Sequence, residues 1–199
     1  MKVLYSVTFF KVLFEMDLML AGQVKARRCP RCGGPLHFAR FLRNPVGCFI
    51  KLPEEYRVRQ GLCCGHCRKR VLPASTLFMG RRCAYRCAVL IFLSLRQDGR
   101  RTTAELSHML DIDVGTLRRW FVYFREEFRF NDSWQRLRGF VSPEVRDGCL
   151  PGSLLSYFID HARDIQSGIL NCIRFLVSGE AYYPSKITVL QSTQRMPVM

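Results

Sequence analysis

The chain has 199 residues, 48% of them hydrophobic, and its 31 Lys and Arg against 16 Asp and Glu give a formal net charge of +15. This length is enough to bury a core, and the hydrophobic content excludes a disordered chain, which combines high net charge with low hydrophobicity. The ten cysteines and the distribution of the charge are therefore the features most informative about function.

The first 24 residues predict an N-terminal extension, either a short helix or residues upstream of the true start. Its apolar run is interrupted by charged residues, namely Lys11, Glu15 and Asp17. This interruption argues against a signal peptide, and no uncharged run is long enough for a membrane span. We therefore expect a cytoplasmic protein without membrane contact, in which clustered cysteines indicate metal or redox chemistry instead of disulfides.

The positive charge is concentrated in one region. Residues 25–101 hold 18 of the Lys and Arg but only three acidic residues, whereas cations and anions balance in the rest of the chain. A local positive field of this kind is typical of proteins that bind nucleic acid or an anionic surface. The charge distribution therefore predicts a nucleic-acid partner. Double-stranded DNA is the partner expected from the helix-turn-helix and from the resemblance described below, although RNA stays open.

Two C-x-x-C turns in residues 25–80 predict a zinc ribbon. Two thiolates three positions apart converge on one side of a tetrahedral ion, and a second such turn closes the other side. The intervening residues 36–42 and 56–60 have strand character. We assign four zinc ligands: Cys29, Cys32, Cys64 and Cys67. A closed four-sulfur site is structural because no position remains open for a substrate.

The remaining cysteines are interpreted as small hydrophobic residues. Cys63 is expected to pack inward or to substitute for Cys64 as a ligand. The alternative for Cys63 is a reactive thiol, because the cations that follow it would lower its pKa. Cys83 and Cys87 are four residues apart on the same face of a helix predicted over residues 82–95. We expect both to be buried in the core, and the alternative is that they bind a second metal ion.

Residues 81–130 predict a helix-turn-helix. Thr102 and Glu105 form a capping box that starts a helix over about 103–110. Residues 111–113 form a turn with apolar Ile112 inward and Asp113 placed to cap a second helix near Val114. That second helix carries an apolar stripe formed by Leu117, Trp120, Phe121, Phe124 and Phe128.

The candidate DNA contacts lie in these two modules. The ribbon and the loops around the first helix contribute Arg68, Lys69, Arg70, Arg81, Arg82, Arg100 and Arg101, and the exposed start of the second helix contributes Thr116, Arg118 and Arg119. Arg can bind the two acceptors of guanine or a phosphate in the major groove. The alternative is a simple helical hairpin with solvated arginines.

Four stretches carry a resemblance to a known class of protein: Cys29-Pro-Arg-Cys32, Cys64-Gly-His-Cys-Arg-Lys-Arg70, Gly80-Arg-Arg82 and Thr103 to Trp120. Over about residues 27–130 the chain resembles the zinc-ribbon and helix-turn-helix proteins that accompany bacterial transposable elements, including the DNA-binding part of some transposases. The resemblance implies binding to element DNA by the ribbon and by the second helix. Asp111 departs from the pattern, since glycine is usual at that position of the turn.

The C-terminal third predicts a connector at 131–153, in which Trp134 and Phe140 dock on the helical core, a helix over 154–180 and a flexible tail at 181–199. The apolar side of that helix either packs within the chain or forms a homodimer. The expected fold class is therefore α+β, a small β-rich zinc ribbon followed by an all-α helix-turn-helix region and a C-terminal helix.

No catalytic site is predicted. A transposase would add three carboxylates holding two metal ions, and the 70 residues after the second helix do not supply them. A nucleophile motif is also absent from the sequence. The leading expectation is a zinc-dependent DNA-binding protein, a transcriptional regulator or a transposition-associated factor, and the alternatives are a zinc-stabilised protein-interaction adaptor and a thiol redox protein.

Overall fold

A 20-residue helix, α1 (Val7–Ala26), opens the fold in the computed structural model, which describes residues 2–48, 50–79, 84–99 and 101–179. The side chain of Ser6 caps this helix by accepting the Phe9 N–H. Its buried face belongs mainly to the large core, through Phe9, Phe10 and Leu13, all at most 1% exposed. Near its end, Val24 packs in a second, smaller core. The segment expected as an extension is therefore an integral helix that contacts both cores.

The strands are short and antiparallel. They are β1 (Leu36–Phe38), β2 (Phe41–Leu42), β3 (Val58–Arg59), β4 (Leu62–Cys64), β5 (Arg70–Val71), β6 (Phe78–Met79) and β7 (Ala84–Tyr85). They form a three-stranded sheet in the order β1, β4, β5, and the two pairs β2 with β3 and β6 with β7. Leu36 pairs with Cys64 and Leu42 with Val58, so that β1 and β2 run along one arm of a hairpin against β3 and β4.

Six helices follow the strands in the described residues: α2 (Arg86–Gln97), α3 (Thr103–Leu110), α4 (Val114–Val122), α5 (Asp132–Leu137), α6 (Gly152–Asp160) and α7 (Ile165–Gly179). The first of them was expected from residue 82, but residues 84 and 85 pair with β6 instead, and the Tyr85 ring stacks on Phe78 at 5.6 Å. These helices surround the large core, and the fold is α+β as expected. None of the helices in the described ranges combines the length and the apolar character needed to cross a membrane.

A buried carboxyl joins α1 to the loop before β6. Asp17 is fully buried and accepts hydrogen bonds from the Ser75 hydroxyl and, at 2.5 Å, from the Thr76 N–H. The Thr76 hydroxyl lies 2.8 Å from the same carboxyl and 2.7 Å from the Leu13 carbonyl. Burial raises the pKa of Asp17 despite these donors.

The C-terminal region differs from the single helix expected over 154–180. It forms two helices, α6 and α7, because the chain turns after residue 160 and Asp164 caps the new helix by accepting the Ser167 N–H at 2.9 Å. The turn brings the helices together: a Cβ on Gly168 would lie 2.6 Å from the Ile159 backbone. Their apolar residues, including Leu154, Leu155, Ile169, Cys172 and Ile173, are buried within the chain.

The segment expected as a connector contains α5 and docks through one of its two aromatics. Trp134 is fully buried, and its ring N–H donates to Asp147 at 3.1 Å. Phe140 was expected to dock as well but is 63% exposed. The expected tail at 181–199 lies outside the described residues.

Candidate metal centre

The four predicted ligand cysteines come together in the small core. Their sulfur atoms all lie within 4.8 Å of one another, and no other such cluster occurs in the described part of the chain. Cys29 Sγ lies 3.7 Å from Cys67 Sγ, and Cys32 Sγ lies 3.5 Å from Cys64 Sγ. These distances are too long for disulfide bonds, and the four cysteines are free thiols.

Two turns of matching geometry present these sulfurs. In the first turn the Gly33 N–H donates to the Cys29 carbonyl at 2.8 Å, and in the second the Arg68 N–H donates to the Cys64 carbonyl at 3.1 Å. Gly33 and Arg68, each directly after the second cysteine of its pair, both adopt a left-handed backbone, with φ of 68° and 59°. The two turns therefore have the same backbone conformation, with Gly33 at the left-handed position of the first turn and Arg68 at that of the second.

Each turn also leaves room for the other. A Cβ on Gly34 would lie 2.8 Å from the His66 ring and 3.1 Å from Cys64 Sγ. A Cβ on Gly65 would lie 3.1 Å from the His37 ring. The two glycines thus leave room for two histidine rings: His66 of the second turn lies across Gly34, and His37 of β1 lies across Gly65.

The electrostatics of the cluster favour a bound cation. Burial alone would raise the pKa of the Cys64 thiol, but the backbone N–H groups of Cys67 and His66 and the neighbouring thiols outweigh it and lower that pKa to about 6. At Cys67 the Lys69 N–H lowers the pKa, whereas burial and the other three cysteines raise it to about 11. Because adjacent thiolates repel each other, all four deprotonate together only when a metal ion compensates their charge.

The donor set fits a tetrahedral metal ion. With metal–sulfur bonds of about 2.3 Å, the sulfurs of a zinc tetrathiolate lie about 3.8 Å apart. The 3.5 and 3.7 Å separations are close to this value, and all four sulfurs lie within 4.8 Å of one another. The four cysteines would hold the ion between β1, β4 and the end of α1, where it would fix the small core and supply no catalytic position.

The other cysteines that the structure describes lie outside the cluster. Cys63 Sγ contacts the carbonyls of Cys64 and Arg68, at 3.8 and 3.6 Å, so it faces away from the four sulfurs. Cys87 and Cys172 are fully buried, as expected of small hydrophobic residues, and burial raises the pKa of both thiols. Cys83 lies outside the described residues.

The cations predicted to contact DNA in this module are exposed. Arg68, Lys69 and Arg70 follow the last ligand cysteine directly, and all three are exposed. The Arg70 guanidinium lies 5.0 Å from the centroid of the Phe41 ring. The turn that positions Cys67 therefore also displays three adjacent positive charges on the surface.

The second candidate surface is formed by α3 and α4. Thr102 and Glu105 make both bonds of the predicted capping box, Asp113 caps α4 by accepting the Thr116 N–H at 2.8 Å, and Ile112 is 5% exposed. Asp111 takes the left-handed conformation that the turn requires, with φ of 52°. The starts of both helices, the end of α3 and the turn between them thus lie where they were expected. The second helix is shorter than its predicted apolar stripe: α4 ends at Val122, and Phe124 and Phe128 lie in the π-helical turn (Tyr123–Glu127) and the 3-10 turn (Phe128–Phe130) that follow.

The predicted contacts at the start of α4 divide into two kinds. Arg118 and Arg119 are exposed, whereas Thr116, which was expected on the same exposed surface, is only 8% exposed. Its side chain faces inward, and its hydroxyl accepts a 2.6 Å hydrogen bond from Arg119. Thr116 is therefore placed to position Arg119 and not to reach a base itself.

Of the remaining predicted contacts, Arg101 is exposed and lies 3.6 Å from Glu105 in an ion pair. Arg81, Arg82 and Arg100 fall outside the described residues.

Sequence reasoning did not single out the cations that surround an exposed aromatic on the hairpin. Lys25 Nζ and the Arg40 guanidinium carbon lie 4.9 and 5.4 Å from the centroid of the Phe38 ring. The alternation of basic and aromatic residues between 36 and 43 was the available signal.

Comparison of the chain with protein-family models, with curated proteins and with solved structures found no match.

Proposed function

We propose that this protein is a zinc-dependent DNA-binding protein with two reading surfaces, a zinc ribbon (residues 25–80) and a helix-turn-helix (α3 and α4). The observation that carries the proposal is the position of Arg68, Lys69 and Arg70, which are exposed directly beside a cluster of four cysteine sulfurs. According to this proposal, zinc binding stabilises the folded ribbon, and the folded ribbon presents the three cations to the phosphate backbone of DNA.

The charge around this site supports a polyanionic partner. Between residues 25 and 53 the sequence contains no Asp or Glu. A surface that serves only for solubility usually mixes both signs of charge. Phosphate contacts by such a surface account for affinity without sequence information.

The start of α4 supports sequence-specific recognition of DNA. Arg119 is tied to Thr116 at the start of α4, and Arg118 is exposed beside it. An arginine that is already oriented loses less freedom on binding a guanine edge. Together with the resemblance described above, this favours a role at the ends of a transposable element or at an operator.

Salt-dependent binding tests the proposal directly. Binding of duplex DNA should weaken steeply with salt, and a chelator that removes the metal should abolish it. If Arg68, Lys69 and Arg70 each neutralise one phosphate, their joint replacement by Ala should reduce the slope of log K against log salt by about 2.7.

A matched control replaces three exposed cations from the neutral part of the chain, Lys11, Arg163 and Arg174, by Ala. This variant loses the same total charge but should keep the wild-type slope. Equal loss in the two triple variants would show that total charge, and not the ribbon surface, controls binding. Selection of bound duplexes from a random pool, with and without chelator, then tests whether the zinc-loaded protein recognises a defined sequence.

A further inference from the structure

An exposed aromatic ring lies in the middle of the basic surface. Phe38, at the end of β1, is 42% exposed, and Leu42, four residues along the same hairpin arm, is 53% exposed. Single exposed apolar side chains are common on protein surfaces, but these two lie on the same hairpin arm within a basic region, a combination that fits a binding site.

Two positively charged side chains lie close to this ring. Lys25, from the end of α1, and Arg40, from the hairpin, lie 4.9 and 5.4 Å from its centroid. Neither side chain forms an ion pair within the described residues. A purely apolar partner would gain nothing from these cations, whereas a partner with a flat apolar face and an anionic chain would use both.

A nucleotide that is not base-paired has this combination of properties. Its base offers a π-face that stacks on an aromatic ring, and its phosphate is attracted to nearby Lys and Arg. In a duplex the base faces are already stacked on their neighbours and are inaccessible to the ring. Cation–π contacts at exposed positions are weak, so a base can displace Lys25 or Arg40 from the ring toward its own phosphate.

The neighbouring Phe41 has a different environment. It is half-buried, and its ring lies on Gly61, where a Cβ would come within 2.5 Å of it. Phe41 is thus part of the packing of the hairpin, which leaves Phe38 as the accessible ring.

We propose that Phe38, with Lys25 and Arg40, is a stacking site for an unpaired base of single-stranded DNA, such as a frayed end or a flap next to the duplex held by the ribbon. This inference rests on the DNA-binding function proposed above. It adds to that function a substrate class, DNA with an unpaired segment, which the two reading surfaces alone do not require.

The test compares two probes, a single-stranded oligothymidine of about 12 nucleotides, within the range of known single-strand site sizes, and a duplex of about two helical turns. Phe38→Leu keeps the apolar volume but removes the π-face, whereas Phe38→Tyr keeps the ring. Phe130→Leu is the matched control, because Phe130 is 67% exposed and lies 4.6 Å from the Arg129 guanidinium but is outside the basic region.

Phe38→Leu should weaken single-strand binding by about 5- to 150-fold, the range measured for one base stacked on an aromatic ring, and leave duplex affinity unchanged. Phe38→Tyr and Phe130→Leu should bind both probes like the wild type. A fluorescent adenine analogue in the single strand, whose emission falls on stacking, should be quenched by the wild type and by Phe38→Tyr but not by Phe38→Leu.

Metal content and circular dichroism of each variant verify that the fold is kept. Equal losses for both probes, or no loss in Phe38→Leu, would overturn the stacking site. Wild-type protein that binds duplex but no single strand would also overturn it and leave the proposed function intact. Wild-type protein that binds neither probe would refute the proposed function itself.

Discussion

The left-handed backbone at Arg68 predicts that a glycine at this position strengthens metal binding. A non-glycine residue in this conformation costs about 1–2 kcal/mol, whereas glycine adopts it without penalty. Gly33 occupies the same position in the first turn. Arg68 therefore carries a cost in stability that Gly33 does not.

The net effect is smaller than this strain, because glycine also gains freedom in the unfolded chain, worth about 0.4–1 kcal/mol. Arg68→Gly should therefore stabilise the folded turn by about 0.5–1 kcal/mol. Because folding of the turn is coupled to metal binding, the metal dissociation constant should fall by about 2- to 5-fold, since 1.4 kcal/mol corresponds to tenfold.

Two matched variants check the reasoning. Gly33→Ala should weaken metal binding by a similar factor, because a Cβ at Gly33 meets nothing within 4 Å and only the backbone strain remains. Lys69→Gly removes a neighbouring charge without relieving strain, since Lys69 does not have a positive φ, and it should not tighten binding. Competition with a chromophoric chelator measures all three. Weaker metal binding in Arg68→Gly, or the same change in Arg68→Gly and Lys69→Gly, would refute the strain argument.

Three further predictions concern the metal, the second surface and the buried carboxyl. Cys67→Ser should eliminate stoichiometric metal and abolish protection of residues 29–71 from hydrogen exchange, while the helical core stays protected; retained metal would contradict the ligand assignment. Arg119→Ala should reduce the preference for a selected site over random duplex by about 5- to 150-fold, and equal loss on both, measured by competition binding, would remove Arg119 from base recognition. Since burial raises the pKa of Asp17, its contribution to stability is complete below the unfolded pKa of about 3.9 and is lost as the pH rises through the folded value. Urea denaturation at several pH values should therefore show the free energy of unfolding of Asp17→Asn falling less across this window than that of the wild type, and parallel pH dependence would argue against a raised pKa.

The elements with local signals were predictable from sequence. The capping box at Thr102 and Glu105 and the cap at Asp113 set both helix starts around the turn, since a cap acts through residues only three positions away. The paired cysteines were predictable for the same reason, because each C-x-x-C turn prepares half of a site by itself.

The features that depend on distant contacts were not predictable. Asp17 made the first helix look polar at that point, but Ser75 and Thr76, more than 55 residues away, satisfy its carboxyl in the core. Thr116 lies at a helix start that favours exposure, yet tertiary packing buries it. The break between α6 and α7 did have a local signal, the cap at Asp164, which the continuous apolar pattern concealed.

Helix α1 acts as a strut between the two cores. At about 1.5 Å per residue its 20 residues span about 30 Å, and its side chains are embedded in the large core near one end and beside the metal cysteines at the other. The small core and the large core, which includes Leu106 and Leu117 of the α3–α4 unit, are therefore joined by one continuous helix. If the ribbon and the α3–α4 unit both contact DNA, they would do so at a fixed spacing and not on a flexible tether.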